Sequence, residues 1–253
     1  VVLEPQTGQV LSMIGSRGYD SEKIDGKFNV VTQALRQPGS SIKPVTYLTG
    51  LKKGYTASTL LMDVRTVFPQ KGNKDYIPVN YDGTYHGPMQ VRYALGNSIN
   101  VPAVKMLAMV GLESMLSTAE KMGIETLAPT EENLKRLGLA TTLGGGEVKP
   151  IELGSAYLAF ANGGVRREPV VLLKVEDHEG NILYENKQVK GKQVISSGEA
   201  FIISDILSDN QARALTFGTN SGLVIGNRKI AVKTGTTNDM KDNWAVGWMP
   251  KAL

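Results

Sequence analysis

The chain contains no cysteine, which excludes disulfides and thiolate metal sites and permits an oxidising extracytoplasmic setting without requiring one. Its two histidines, His86 and His178, stand far apart without metal-ligand spacing, so neither a metal cluster nor a Ser-His-Asp triad is expected. No apolar run reaches the roughly 18 residues of a membrane-spanning helix. The longest candidate, Val101 to Leu112, is interrupted by Lys105. Charge is dispersed: 28 basic and 24 acidic residues leave a net +4, with no run of five or more like charges to mark a nucleic-acid arm. Aromatic residues make up 6% of the chain and do not interleave with basic ones, so no nucleic acid partner is expected. The Gly144 Gly145 Gly146 run lacks the Lys and Ser/Thr of a P-loop and reads as a flexible turn; no cofactor is expected.

What is present suits one large globular domain: 253 residues, 41% hydrophobic and 21% charged. Apolar stretches at Val1 to Glu4 and Gln9 to Ile14, joined through Pro5 and Gly8, predict a β-hairpin. Ser41 to Lys53, with Pro44 tolerated in a first turn and Gly54 as a stop, predicts a helix starting beside Ser40. Tyr55 to Pro88 loses periodicity and reads as a long irregular segment. Leu112 to Met122, Thr130 to Leu137 and Ile151 to Ala161 predict helices, the last with Leu153, Ala156, Tyr157 and Phe160 on its core face. A second hairpin is expected over Val170 to Val175 and Asn181 to Tyr184. Ser196 with Glu199 forms a capping-box pattern opening a helix to about Leu207. Lys229 to Thr236 and Asn243 to Met249 predict two strands. Strands at both ends with helices between them predict an α+β fold, an antiparallel sheet subdomain beside a helical one, with a site at their junction.

Three short elements carry the chemistry: Ser40 with Lys43, Ser98 with Asn100, and Lys233 Thr234 Gly235 followed by Thr236. A serine hydroxyl is a weak nucleophile and needs an adjacent base; residues i and i+3 of a helix are neighbours, so Lys43 can reach Ser40. Burial and the nearby cation Lys233 would both disfavour protonation of Lys43 and make it a base. Gly235 would let the strand backbone approach a substrate closely. The N–H groups of Ser40 and Thr236 would supply an oxyanion hole.

The flanks, Thr32 to Gly39 before Ser40 and Tyr81 Asp82 Gly83 Thr84 Tyr85 His86 Gly87 Pro88 before Asn97 to Pro102, closely resemble the transpeptidase domain of bifunctional (class A) penicillin-binding proteins across nearly the whole chain. The resemblance implies a penicillin-binding protein/serine β-lactamase-like fold spanning 1–253, with a sheet subdomain from 1–38 and 165–253 and a helical subdomain from about 39–164. It also implies that the family's C-terminal strand and helix are absent, so that the chain is truncated at the C-terminus. By resemblance, Ser40 is the nucleophile and Lys43 its base. Ser98 relays a proton to the leaving amine, Asn100 binds Lys43 and the substrate amide, and Lys233, Thr234 and Thr236 bind the substrate carboxylate. The implied substrate is a peptidoglycan stem peptide ending in D-Ala-D-Ala, with β-lactam antibiotics acylating the same serine. An N-terminal glycosyltransferase domain and membrane anchor, on the extracytoplasmic face of a bacterial membrane, are expected in the full-length protein. The alternatives are a serine β-lactamase or D,D-carboxypeptidase, in which water accepts the acyl group, and a non-catalytic β-lactam sensor.

Several look-alikes are set aside. Ser41 is only two residues from Lys43. Ser208 Asp209 Asn210 is a literal SDN but sits near the end of a predicted helix, where a turn role is natural. Glu131 and Glu132 fall where a class A β-lactamase keeps its deacylating glutamate, yet they read as helix-start carboxylates. Both histidines read as loop residues.

Overall fold

The structure is a computed structural model that describes residues 1–70, 72, 74–187, 190–237 and 241–249. It opens with strands β1 (Val2–Leu3) and β2 (Val10–Ser12), followed by helix α1 (Val30–Gln33). A 3₁₀ turn, Gly39–Ile42, runs directly into helix α2 (Lys43–Lys52). Strands β3 (Leu60–Asp63) and β4 (Gly87–Gln90) precede three helices, α3 (Val91–Gly96), α4 (Asn100–Val110) and α5 (Leu112–Lys121). Helices α6 (Glu131–Arg136) and α7 (Pro150–Ala161) lead to strands β5 (Val165–Arg166), β6 (Lys174–Glu176), β7 (Ile182–Glu185) and β8 (Lys192–Gln193). Helices α8 (Ser197–Ser208) and α9 (Ala214–Phe217) and strands β9 (Ala231–Thr236) and β10 (Asn243–Trp248) complete it. Strand pairing is antiparallel within β1–β2, β3–β4, β5–β8, β6–β7 and β9–β10.

Helix α2 is the hub. Its residues from Lys43 to Gly50 are all buried, as expected of a helix enclosed on every side rather than amphipathic. Ile42, Val45 and Leu48 are wholly buried, against Leu95, Met106, Leu107, Met115 and Leu116 in the same core. Helix α4 comes close: a Cβ on Gly50 of α2 would stand 2.6 Å from Met106 Sδ, so glycine here leaves room for the Met106 side chain between the two helices. At the other side, Trp248 of β10 meets Tyr157 edge-on and stacks on Phe160, both from α7. Such aromatic contacts add to area burial and tie the terminal hairpin to the helices.

The helices over Leu112–Lys121, Glu131–Arg136 and Pro150–Ala161 form where the sequence places them, and Ser196 and Glu199 make the full reciprocal capping box. One expectation is corrected. The Tyr55 to Pro88 segment is not wholly irregular, because β3 and β4 pair across it with Leu61 facing Met89. Four-residue strands separated by a long loop, one of them carrying Pro88, leave little alternation to read. The apolar stretch after Asn97 is the buried core helix α4, with Pro102 in its first turn. Among the described residues no single helix is long and apolar enough to cross a membrane.

Candidate active site

Three segments converge on one cleft of about 850 Å³, lined among others by Ser40, Ser98, Asn100, Thr234, Gly235 and Thr236. Lys43 and Lys233 lie beneath its floor, 0% and 2% exposed. All eight residues singled out from sequence are therefore brought together.

Ser40 sits in the 3₁₀ turn at the entrance of α2, one turn before Lys43. The turn is possible because three glycines remove side chains from a crowded point. Gly39 has φ +54°, and a Cβ there would lie 2.6 Å from the Thr236 carbonyl oxygen. A Cβ on Gly235 would lie 2.5 Å from the Pro38 oxygen, and one on Gly144 2.3 Å from the Gly39 nitrogen. Gly235 is required by the turn beneath it, since the direction its side chain would take points at Pro38 and Ser41. One expectation changes. Gly144 opens no free hinge; it forms the wall against which the Ser40 turn is laid. The same contacts set the backbone of Thr236 beside the residue preceding Ser40. Trp244 Nε1 donates to the Gln37 oxygen at 3.0 Å, and buried Tyr157 donates from its hydroxyl to the Ser41 oxygen at 2.6 Å, so β10 and α7 brace the turn from two sides.

Ser98 terminates α3 in a Schellman arrangement. Ile99 N–H bonds to the Ala94 oxygen at 3.0 Å and Ser98 N–H to the Leu95 oxygen at 3.1 Å. The position that helices usually give to glycine is held here by serine with φ +58°, the one positive-φ non-glycine residue among those described. A strained serine is kept where glycine would be comfortable, which marks its hydroxyl as useful. Asn100 then starts α4, so the two-residue spacing of the motif is a corner between helices that aims both side chains at α2.

Lys43 Nζ donates to the Ser98 carbonyl oxygen at 2.5 Å, to Asn100 Oδ1 at 2.7 Å and, more weakly, to Ser98 Oγ at 3.4 Å. Asn100 Nδ2 donates to the Val79 oxygen at 2.8 Å, which fixes which end of its amide faces the lysine. Lys233 Nζ donates to Ser98 Oγ at 2.8 Å and to the Thr234 oxygen at 2.7 Å. Ser98 Oγ thus stands between two buried amines. Burial pushes Lys43 well below the ordinary lysine range, and the charge of Lys233 pushes the same way. Lys233 falls to about 7, through burial first and the Arg213 guanidinium second. Two cations cannot be accommodated cheaply in so little solvent, so burial and mutual repulsion favour the free-amine form within the pair, and Lys43 is the member that stands a turn from Ser40.

The look-alikes behave as read. Ser208 closes α8 and Asp209 pairs with Arg92 at 3.1 Å, away from the cleft. Glu131 and Glu132 occupy the first turn of α6, Glu131 paired with Lys135 at 2.5 Å, and neither lines the cleft. His178 is exposed. His86 lies in a loop as read, just before β4, and it also lines the cleft, half-buried, with Nδ1 2.8 Å from the buried Asp63 carboxylate. Asn80 and Gly144 were also missed. Asn80 falls within a segment that has no periodicity to place it, and Gly144 is legible only once its partner Gly39 is known.

The whole chain matches a family model described as the penicillin binding protein transpeptidase domain, over residues 1–252. Penicillin-binding protein 1A of Aquifex aeolicus is 36% identical over 252 residues, which is 99% of this chain and 32% of that protein. The chain spans about a third of the length of the curated relatives it matches. The crystal structure of penicillin-binding protein 1A from Haemophilus influenzae superposes with a TM-score of 0.73 at 30% identity, over 88% of this chain and 38% of that one. Penicillin-binding protein A from M. tuberculosis, solved as an imipenem acyl-enzyme complex, shares the fold with a TM-score of 0.79 at 18% identity, over 97% of this chain and 63% of that one. With its α+β fold and its three motifs gathered in one cleft, the chain belongs to the penicillin-binding protein transpeptidase family.

Proposed function

We propose that this domain is a serine D,D-transpeptidase that cross-links peptidoglycan stem peptides and is acylated by β-lactams. The observation that carries the reading is the pair of buried amines about Ser98 Oγ, one of them a turn away from Ser40. Lys233, with the hydroxyls of Thr234 and Thr236, binds the terminal carboxylate of a stem ending in D-Ala-D-Ala. Ser40 Oγ attacks the penultimate carbonyl carbon as its proton passes to the Lys43 amine. The resulting oxyanion lies between the N–H groups of Ser40 and Thr236, donors of a kind whose single loss costs about 10²- to 10³-fold in rate. The C–N bond then breaks and the departing D-Ala nitrogen takes a proton through Ser98 Oγ, leaving an ester on Ser40. An amine from a neighbouring stem attacks that ester, gives up a proton to the regenerated Lys43, and frees Ser40.

The class A β-lactamase route to hydrolysis is disfavoured by the placement of Glu131 and Glu132, which sit exposed on α6 rather than in the cleft lining. We assign the chain one transpeptidase domain, with residues from about 39–164 as its helical part and 1–38 with 165–253 as its sheet part. The full-length protein would carry a glycosyltransferase domain and a membrane anchor, and would act on the extracytoplasmic face of a bacterial membrane. Intact mass after incubation with benzylpenicillin tests the reading. A single lasting adduct, absent from Ser40→Ala, is expected. Rapid adduct loss with drug turnover would make the protein a β-lactamase, and labelling that survives in Ser40→Ala would remove Ser40 from the chemistry.

A further inference from the structure

Asp63, the last residue of β3, is wholly buried and touches no part of the cleft chemistry described above. Its carboxylate accepts from Asn80 Nδ2 on both oxygens at 2.9 Å and from the His86 N–H at 2.9 Å, and it faces His86 Nδ1 at 2.8 Å. Asn80, itself 4% exposed, spends its remaining amide hydrogen on the Thr84 oxygen at 2.7 Å. Both hydrogens of its nitrogen being directed at acceptors, Oδ1 is turned the other way, towards the N–H groups of Asn100 and Val101, each 3.1 Å distant. Those are first-turn donors of α4 with no intrahelical acceptor, and the preceding Ile99 offers no side-chain cap. Asn80 caps α4 from another part of the chain. Its neighbour Val79 accepts the Asn100 side-chain amide at 2.8 Å, so residues 79 and 80 hold both the backbone and the side chain of Asn100. Asn100 Oδ1 in turn accepts from Lys43 Nζ at 2.7 Å.

We propose that Asp63 is a positioning residue for the Lys43 base, acting through Asn80 and Asn100. The proposal rests on Ser40 and Lys43 having the roles assigned in the preceding section. The chemistry explains why a carboxylate is needed. An amide at position 63 would have only one acceptor atom and would present its NH₂ to the Asn80 NH₂. Turning Asn80 over to escape that clash would set its oxygen against the Thr84 oxygen and its nitrogen against two helix N–H donors. Either way α4 loses its external cap, and Asn100 loses its fixed distance to Lys43. Displacing a catalytic group by about 1 Å from afar costs on the order of 10²-fold.

The test is stopped-flow acylation by benzylpenicillin, resolved into a first-order rate and a half-saturating concentration, on the intact domain and on Asp63→Asn, Asn80→Ala and the double variant. The expected result is a fall of about 10- to 100-fold in the first-order rate at unchanged half-saturation. The double variant should be no slower than Asn80→Ala alone, because both changes break one chain of contacts. Wild-type rates in Asp63→Asn, or losses that multiply in the double variant, overturn the proposal. So does an equal loss in Leu116→Ala, a core truncation outside the cleft lining that serves as the control for general destabilisation. Should Asp63→Asn fail to fold, Asn80→Ala decides alone: a slower first-order rate supports the proposal and a wild-type rate overturns it. A wild-type protein that takes no label at Ser40 would instead overturn the functional reading and this inference with it.

Discussion

Gly144 lies against Gly39 so closely that a Cβ on residue 144 would stand 2.3 Å from the Gly39 nitrogen and 2.4 Å from its Cα. The obstruction is backbone, which cannot swing aside as a flexible side chain would. Gly144 also has φ +96°, a region that side chains other than glycine rarely adopt. Gly144→Ala therefore has to displace the turn that carries Ser40. Penicillin acylation should fall by at least about 10-fold, with stability lowered by about 2 kcal/mol or more. Gly163→Ala is the control, because φ is positive there too, at +60°, but open space surrounds it. Equal acylation losses in both variants would show that backbone strain alone, and not the contact with Gly39, is responsible.

Ser98 holds a Schellman position in the left-handed region, where a residue with a Cβ costs about 1–2 kcal/mol. Ser98→Gly and Ser98→Ala both remove the hydroxyl shared by the two lysines, and both should lose most acylation. They should differ in stability. The glycine variant is expected to unfold about 2–4 °C above the alanine variant, the shift that about 1 kcal/mol makes in a domain of this size. Equal melting temperatures would mean that the helix corner rearranges in the variants.

The two amines impose opposite demands on pH. On the proposed mechanism Lys43 acts as a base once deprotonated, so acylation efficiency should rise as pH climbs through its lowered pKa. On the same mechanism Lys233 binds a carboxylate while charged, so efficiency should fall again as pH passes about 7 in the free enzyme. The profile should be bell-shaped, its limbs belonging to the coupled pair. Stability runs with a definite sign as well. The folded-state pKa of Lys233, about 7, lies below its ordinary value of 10.5, so between them the unfolded chain binds more protons. Its contribution is complete above the upper value and is lost as pH falls through the lower one. Melting temperature should climb with pH across that window, and Lys233→Met should flatten the climb. An acylation profile flat through neutral pH would separate the lysines from the chemistry.

The motif residues were legible through the family resemblance, and some positions also through a local structural device. Ser40 and Lys43 are one helical turn apart, and the Ser196–Glu199 capping box and the core face of α7 follow from spacing within one element. The residues that escaped depend on contacts between distant segments. Gly144 matters through Gly39, 105 positions away in the chain (144 − 39), and Asp63 and Asn80 reach the site through a helix start. Gly235 was legible as a strand glycine, but the direction in which its missing side chain would point was not. His86 was legible as a loop residue, but nothing in its neighbourhood announces a buried carboxylate 23 positions earlier.

Tyr157 gives the last test, because it separates support of the Ser40 turn from packing. Its ring meets Phe160 and Trp248 edge-on in the core, and its hydroxyl donates to the carbonyl oxygen of Ser41 at 2.6 Å. Tyr157→Phe keeps the ring contacts and removes only the donor, leaving a buried carbonyl one residue beyond Ser40 without that partner. Stability should fall by about 1–3 kcal/mol, the cost of an unsatisfied buried acceptor. Acylation should fall by only a few fold, because the glycine contacts and the Trp244 bond to Gln37 still hold the turn. Combining Tyr157→Phe with Trp244→Phe removes the braces from α7 and β10 together. If the two braces share the task of holding Ser40, the double variant should lose more acylation than the product of the single losses. Losses that simply multiply would mean that each bond stabilises its own element and that the glycine-lined contact sets the position of the nucleophile by itself.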